Sequence, residues 1–497
     1  MELFWGDLHN HCGITYGSGS LKNALLNARF HLDFCSVTPH AFWPDMPARN
    51  EDTAFILDYH IKGFEKIRNN WQAYTDAIEK ANQPGKFSTF YSFEMHSYAC
   101  GDYTFVSPDK NLRITPDEDS PEKVIKANGS VRMIGIPHHI GYTPGYRGII
   151  WDRYDGRYSP LVEVISNHGC AMHDYAGLPF YHDMGPMDGR NTVYSGLAQG
   201  KQFSFTGSTD NHAGCPGTFG DGKMAVLAEA NTREAIWDSL LKGRTYAVTG
   251  NRIKCGFTVN GNPFGSRIDK NGEAEIDYSV EAGDALDRII IFRNLKPAHI
   301  VDGLSLERSL NGEGPYKVKI EFGWSNKDDL YRWDIDLGVD GGTILNAEPC
   351  FRGAGVISPS RQRTDYDEIN DLGFDFSMKN ENSASLTCGT YKNRSTRHPG
   401  TSAVIYKIGG NEKTKLNLKI NGREVSIDLA SLIRCGVSGH MKPYASHAWK
   451  IHTAVPRGHY ENSGKITLPG AAGNFYHMEV MQRDNERAFI SPVFMKY

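Results

Sequence analysis

The chain has 497 residues, with 54 lysines and arginines against 58 aspartates and glutamates, so 54 − 58 leaves a formal net charge of −4. That balance gives no strong attraction to nucleic acid or to an anionic membrane, and neither is expected as a partner. No apolar run approaches the ~20 residues that span a bilayer, and the first residues lack a basic region followed by a long apolar one, so a soluble cytoplasmic protein is expected.

The length is too great for one ordinary domain and suggests two or three. Nine cysteines, with no Cys-x-x-Cys pair, read as free thiols rather than as a disulfide framework or a zinc ribbon.

From residue 1 to about 250, β-like and helix-like segments alternate, which favours an α/β domain with a largely parallel sheet. The strand candidates are Leu3 to Leu8, Leu32 to Thr38, Phe87 to Phe93, Tyr103 to Val106, Arg132 to Ile136, Leu161 to Ile165, Phe203 to Thr206 and Lys223 to Ala228. Helices are expected at Leu21 to Phe30 and at Thr53 to Ala81. In the second of these, Ile56, Tyr59, Phe64, Ile67, Trp71, Tyr74 and Ile78 approximate a helical stripe. A further helix spans Thr232 to Gly243, with Thr232 as its cap and Gly243 as its stop. From about residue 251 the texture changes to Asn-Gly turns and alternating strands, so residues 251–497 are expected to form a β-rich, sandwich-like domain. Within it, Arg352 to Pro399 is polar and reads either as a long loop reaching toward the first domain or as an exposed insertion.

Strand-like runs in the first domain end in histidine, aspartate or glutamate at seven positions: His9, His11, His40, Glu94, His138, Glu163 and Asp210. In an extended strand, residues two apart share a face, so His9-x-His11 and Asp210-x-His212 can each turn both side chains to one ion. A single histidine near a strand end is more often a hydrogen-bonded structural group than a ligand. Repetition at successive strand ends favours a metal site at the carboxyl ends of a parallel barrel.

Gly6-Asp-Leu-His-Asn-His11, Leu32-Asp-Phe-Cys-Ser-Val-Thr-Pro-His40, Phe93-Glu94, Ile136-Pro-His-His139 and Gly207-Ser-Thr-Asp-Asn-His212 together resemble the motifs of the PHP (polymerase and histidinol phosphatase) superfamily. The segments Val162 to Gly169, Asp238 to Gly250, Phe475 to Gln482 and Ser491 to Phe494 are similar to a branch of it with a C-terminal β domain. The resemblance implies a distorted (β/α)7 barrel holding two divalent ions, or three, of manganese, zinc or iron. It implies His9, His11, Glu94 and Asp210 around one ion, Glu94 with His138 or His139 at a second, and His40 with His212 at a third. Glu94, Asp210 and His212 are the implied catalytic residues. Three positions depart from the family's pattern: Pro39 before His40, the Cys-Gly-Ile-Thr-Tyr stretch after His11, and Gly101-Asp102 where a ligand histidine is common, with Asp102 or His96 as substitutes.

Glu163 and His168 are read equally as ligands or as residues orienting one. Arg147 and Lys223 are candidate clamps for an anionic substrate, and Tyr142, with Tyr146, Trp151 and Trp43, a candidate wall for a ring. The expected activity is hydrolysis of a small-molecule phosphate ester, with a sugar or a phosphorylated metabolite as the substrate class, by a hydroxide bridging the ions. The alternatives are a metal-dependent hydrolase or lyase acting on a carbohydrate, ester, lactone or amide, and a non-catalytic carbohydrate-binding protein.

Overall fold

The computed structural model describes residues 1–182, 184–269, 272–309, 314–324, 330–354, 371–391 and 399–496. Its first half runs β1 (Glu2–Asp7), α1 (Leu21–His31), β2 (Phe34–Cys35), β3 (His40–Phe42), α2 (Ala54–Ala81), β4 (Ser88–Thr89), β5 (Tyr91–Met95), β6 (Tyr103–Ser107), α3 (Pro121–Ala127), β7 (Ile134–Pro137), β8 (Leu161–Ser166), β9 (Gly169–Cys170), α4 (Val193–Ala198), β10 (Ser204–Gly207), β11 (Lys223–Ala228), α5 (Arg233–Leu241) and β12 (Thr245–Val248). Every residue of β5, β6, β8 and β10 is buried, as expected of strands covered on both faces.

Hydrogen bonding among the described strands does not run unbroken around this domain. It divides into β4-β2-β1-β11-β12, β3-β5-β6-β7 and β10-β8-β9. The pairs β1/β2, β2/β4, β3/β5 and β8/β10 are parallel, whereas β1/β11, β11/β12, β5/β6 and β6/β7 are antiparallel. The largely parallel sheet read from the sequence is therefore a mixed one. The α/β alternation itself is present, and a closed seven-stranded barrel is not established by these pairings.

Helix α2 buries Phe64, Ile67, Tyr74 and Ile78 from the expected stripe, each contributing roughly 2 kcal/mol through apolar burial. Its buried face also takes in Leu57 and His60, while Ile56, Tyr59 and Trp71 stay at the margin. Thr232 caps α5 by accepting from the Ala235 amide, and Gly243 leaves the helix at a φ of +65°, where a glycine costs little.

Residue 250 marks a change of texture but no gap in the sheet. The strand Arg487–Met495 pairs with β12, Tyr246 opposite Ile490, and carries Phe475–Gln482 and Leu286–Arg293 beyond it. A second sheet, of Lys254–Val259, Gly272–Glu281 and Glu461–Gly470, packs on this extension around Phe257, Ile276, Ile289, Val480 and Ile490, with Trp5 and Tyr246 from the first half. Among the described residues, 316–456 hold two further antiparallel sheets, of six and five strands, about one core that includes Val318, Ile320, Trp333, Leu386, Tyr406 and Leu418. The Asn260-Gly261 and Asn421-Gly422 turns have positive φ at both positions, as tight hairpins require.

Of the polar stretch from Arg352 to Pro399, residues 355–370 and 392–398 lie outside the described residues. Its beginning packs on the first domain. Arg352 is buried, its Nε donates to the Phe219 carbonyl at 2.7 Å, and the Phe219 amide donates to the Phe351 carbonyl at 3.0 Å. All nine cysteines are unpaired, and among the described residues no helix is long and apolar enough to cross a membrane.

His31, at the end of α1, is sealed against Phe351 and Phe374 with neither ring nitrogen hydrogen-bonded. Burial, reinforced by Lys223 and Arg252, holds its imidazole neutral well below the usual histidine range. The unfolded chain takes up this proton near pH ~6.5 and the folded chain does not, so stability is lost as pH falls below that value. Urea unfolding is expected to show the wild type losing about 2 kcal/mol more than His31→Leu between pH 7 and pH 5, nearly all of it below pH ~6.5.

Candidate metal centre

Two chain segments far apart in sequence are hooked together beneath the cluster. Asp7, fully buried at the end of β1, accepts from the His9 amide at 3.1 Å, the Thr209 hydroxyl at 2.5 Å and the Gly217 amide at 3.0 Å. Burial pushes the Asp7 carboxyl up to about 6, and these hydrogen bonds oppose it. Above it the backbones run side by side: the Asp210 amide donates to the His9 carbonyl, and the His11 amide to the Asn211 carbonyl, both at 2.8 Å. Asp210 takes a φ of +49°, a strained value for a residue with a side chain, and this turns its carboxylate toward the histidines.

The resulting cluster is almost wholly buried; His9, His11, His40, Glu94, His138 and Asp210 are each at most 3% exposed. His9 Nε2 and His11 Nε2 lie 3.3 and 3.0 Å from Asp210 Oδ1, and 3.9 and 3.5 Å from Glu94 Oε2. Ligand atoms bonded at about 2.1 Å to one tetrahedral ion sit about 3.4 Å apart, so these separations suit a shared cation. His9 Nε2 and His11 Nε2 are buried without a hydrogen bond of acceptable geometry, and His40 Nδ1 and Glu94 Oε2 face each other at 2.7 Å. Orphaned buried donor atoms of this kind are costly unless something else satisfies them. A divalent ion does so.

Further groups of closely spaced ligand atoms adjoin the first. Glu94, Asp102, His138 and His139 converge, with His138 Nε2 at 3.1 Å from Glu94 Oε1 and His139 Nε2 at 3.3 Å from Asp102 Oδ2. His11, His40 and His212 form an all-nitrogen group in which the Nε2 atoms of His40 and His212 are 3.1 Å apart. His139, His168 and Asp210 form another, with His168 Nε2 at 2.8 Å from Asp210 Oδ2. Thus the eight sequence-predicted ligands are brought together, and Asp102, His96 and His168 join them.

The electrostatics favour bound cations. Burial would raise the carboxyls of Glu94 and Asp210, yet the surrounding imidazoles, His40, His96 and His138 for Glu94 and His9 and His168 for Asp210, hold both well below the usual carboxylate range. Burial works against charge on His9, but Asp210 and Glu163, with Glu94 adding to them, push it up to about 10. Burial and the neighbouring His11 bring His212 down to about 3, and burial and His138 bring His139 down to about 4, so both offer neutral lone pairs.

Around the ligands stands a ring of orienting contacts. Glu163 Oε2 lies 2.9 Å from His9 Nδ1, leaving Nε2 to face the cluster. Tyr142 is buried, its hydroxyl 2.6 Å from His168 Nδ1, so its position is that of a group that fixes His168 rather than an exposed wall. Arg147 reaches the cluster, but its Nε donates to Asp102 Oδ2 at 2.6 Å and its guanidinium stacks over Trp43. Lys223 is a correction to the sequence reading. It is buried on β11 with Glu348, Arg252 and Glu486 as its charged neighbours, because the C-terminal segment packs over that face of the strand.

Three contributors had no signal in the sequence pattern. Tyr16 stacks on His40 at 3.8 Å and meets His96 Nε2 through its hydroxyl at 3.0 Å; His60 approaches His96 from α2; His182 stacks on His168 at 4.1 Å. Tyr16 lies in the stretch after His11, where the departure from the family's pattern was the only clue.

Residues 217–279 match the profile of a family described as "Protein of unknown function (DUF3604)". Uncharacterized proteins of Chlamydia muridarum (strain MoPn / Nigg) and Chlamydia trachomatis serovar D are each 26% identical over 282 residues, 54% of this chain and 42% of theirs. The chain therefore spans less than half the length of the curated relatives it matches. Among solved structures, a two-domain protein of Bacteroides vulgatus containing a predicted PHP-like metal-dependent phosphoesterase aligns over 86% of this chain and 95% of its own, with 11% identity and a TM-score of 0.33. The lesion-specific endonuclease EndoQ of Pyrococcus furiosus aligns over 48% and 56%, with 12% identity and a TM-score of 0.30.

Glu163→Gln keeps the shape beside His9 but weakens its pull on the ring. Competition with a chromophoric chelator is expected to show metal affinity reduced about 10- to 100-fold, with folding unchanged.

Proposed function

We propose that this chain is a metal-dependent hydrolase of PHP type whose substrate is a small-molecule phosphate ester. The observation that carries the reading is the buried set of orphaned nitrogens and adjoining carboxylate atoms at ligand spacing. In this reading His9, His11, Glu94 and Asp210 hold one ion; Glu94, Asp102, His138 and His139 a second; His11, His40 and His212 a third. Imidazole and carboxylate together suit manganese, zinc or iron. Paired divalent ions supply Lewis acidity and a nucleophile at neutral pH.

The chain's own groups prepare the site. Glu163 and Tyr142 hold His9 and His168 in one ring orientation, so less reorganisation is needed when substrate arrives. Tyr16 closes the side of His40 with its ring. Arg147, 15% exposed on its side chain and paired with Asp102, would offer a cation to an incoming phosphate.

A second reading is a hydrolase or lyase acting on a non-phosphate ester, lactone, amide or glycosidic substrate. It is favoured by the commitment of Arg147 to Asp102 and by the placement of Lys223 away from the cluster. Hydrolysis of p-nitrophenyl phosphate and p-nitrophenyl acetate, with manganese or zinc and with chelator, separates the two. The first reading expects phosphate ester turnover that chelator abolishes, that metal restores, and that falls by at least about a hundredfold in Asp210→Asn. Turnover of the acetate alone selects the second. Activity that survives complete chelation contradicts both.

A further inference from the structure

A cavity of about 470 Å³ lies where the sandwich meets the first domain. The strand Tyr316–Gly323 turns Tyr316, Val318, Ile320 and Phe322 into the sandwich core, so Lys319 and Glu321 share its outer face. An outer face of this kind is usually wet. Here the loops at residues 177–181 and 219–220 border it, and the charged side chains line a half-open cleft.

These groups are fixed by one another. Lys319 Nζ lies 2.8 Å from Asp484 Oδ2, and Gln482 Nε2 donates to Asp484 Oδ1 at 2.9 Å. Glu321 meets His452 Nε2 at 2.7 Å and accepts from the Thr401 hydroxyl at 2.6 Å, which in turn accepts from Arg352 at 2.8 Å. Yet each side chain keeps an open edge: 11% of Lys319, 16% of Asp484, 15% of Glu321 and 21% of His452 remain accessible. Cations and carboxylates alternate in near balance, so the cavity has no strong preference for a free ion of either sign. Closely spaced donors and acceptors do complement vicinal hydroxyls, each of which donates one hydrogen bond and accepts others. At the rim, Tyr181 is 57% exposed and offers a flat apolar face. The volume falls within the ~300–1,000 Å³ of small-molecule sites.

We propose that this cavity binds a saccharide, with Lys319, Glu321, His452 and Asp484 meeting its hydroxyls and Tyr181 its apolar face. The cavity's loops lead to the metal centre: Tyr181 precedes His182, which stacks on His168, and Phe219 follows His212 on the next loop. That the same saccharide is the alcohol part of the substrate rests on the function proposed above; the binding site itself does not.

The test is saturation-transfer NMR on the metal-loaded full chain with methyl glucoside, methyl galactoside, methyl mannoside, N-acetylglucosamine, cellobiose and maltose. At least one probe is expected to bind, with affinity weakened tenfold or more in Glu321→Gln and in Tyr181→Ala. Tyr181 is too exposed for its truncation to threaten folding, and metal content serves as the control for both variants. Binding by none of these probes, or binding equal in wild type and both cavity variants, overturns the proposal. Saccharide binding by a chain that hydrolyses neither p-nitrophenyl ester sustains it while removing the hydrolase reading.

Discussion

Much of the first domain is organised around one electrostatic constraint: a dozen imidazole and carboxylate groups are packed together out of water. Such a set cannot satisfy itself. Two nitrogens that face each other, as those of His40 and His212 do, need a proton or a cation between them, and a ring nitrogen such as His9 Nε2 buried without a hydrogen bond costs free energy of the order of 1–3 kcal/mol. The surrounding structure is built to tolerate this. Asp7 ties the ends of β1 and β10 together through the Thr209 hydroxyl, and Asp210 accepts a strained backbone so that its carboxylate faces inward. A divalent ion that binds only the folded chain would offset this cost and stabilise the fold.

The C-terminal half is coupled to that centre through several contacts among the described residues. Its last strands continue the β12 edge of the first sheet, so the two halves share a hydrogen-bonded backbone. Arg352, buried with its donors spent on the carbonyls of Phe219, Pro399 and Thr401, clamps the loop that follows His212. Any shift of the sandwich is therefore transmitted to the segment that carries Asp210 and His212.

The ligands were legible because their signal is local and repeated. Period-two pairs at His9-x-His11 and Asp210-x-His212, and single residues at the ends of β5 and β7, need only that strands end where apolar runs end. What depends on how elements rotate against one another was not legible. His60 reaches the centre because α2 buries the Leu57–His60 edge of its stripe, and His182 because its loop folds back onto His168. Lys223 sits on a correctly placed strand, but the packing of Glu348 and Cys350 decides what surrounds it. Strand direction was also hidden: an apolar run reads the same in either sense, so the antiparallel pairing of β5, β6 and β7 came only with the fold.

The proposed function requires the buried cluster to hold more than one divalent ion. Elemental analysis of the full chain after equilibrium dialysis against manganese, and separately zinc, tests it most directly. The account predicts at least two ions per folded chain, falling by at least one in His11→Ala. A folded chain that retains no ion under either condition contradicts it.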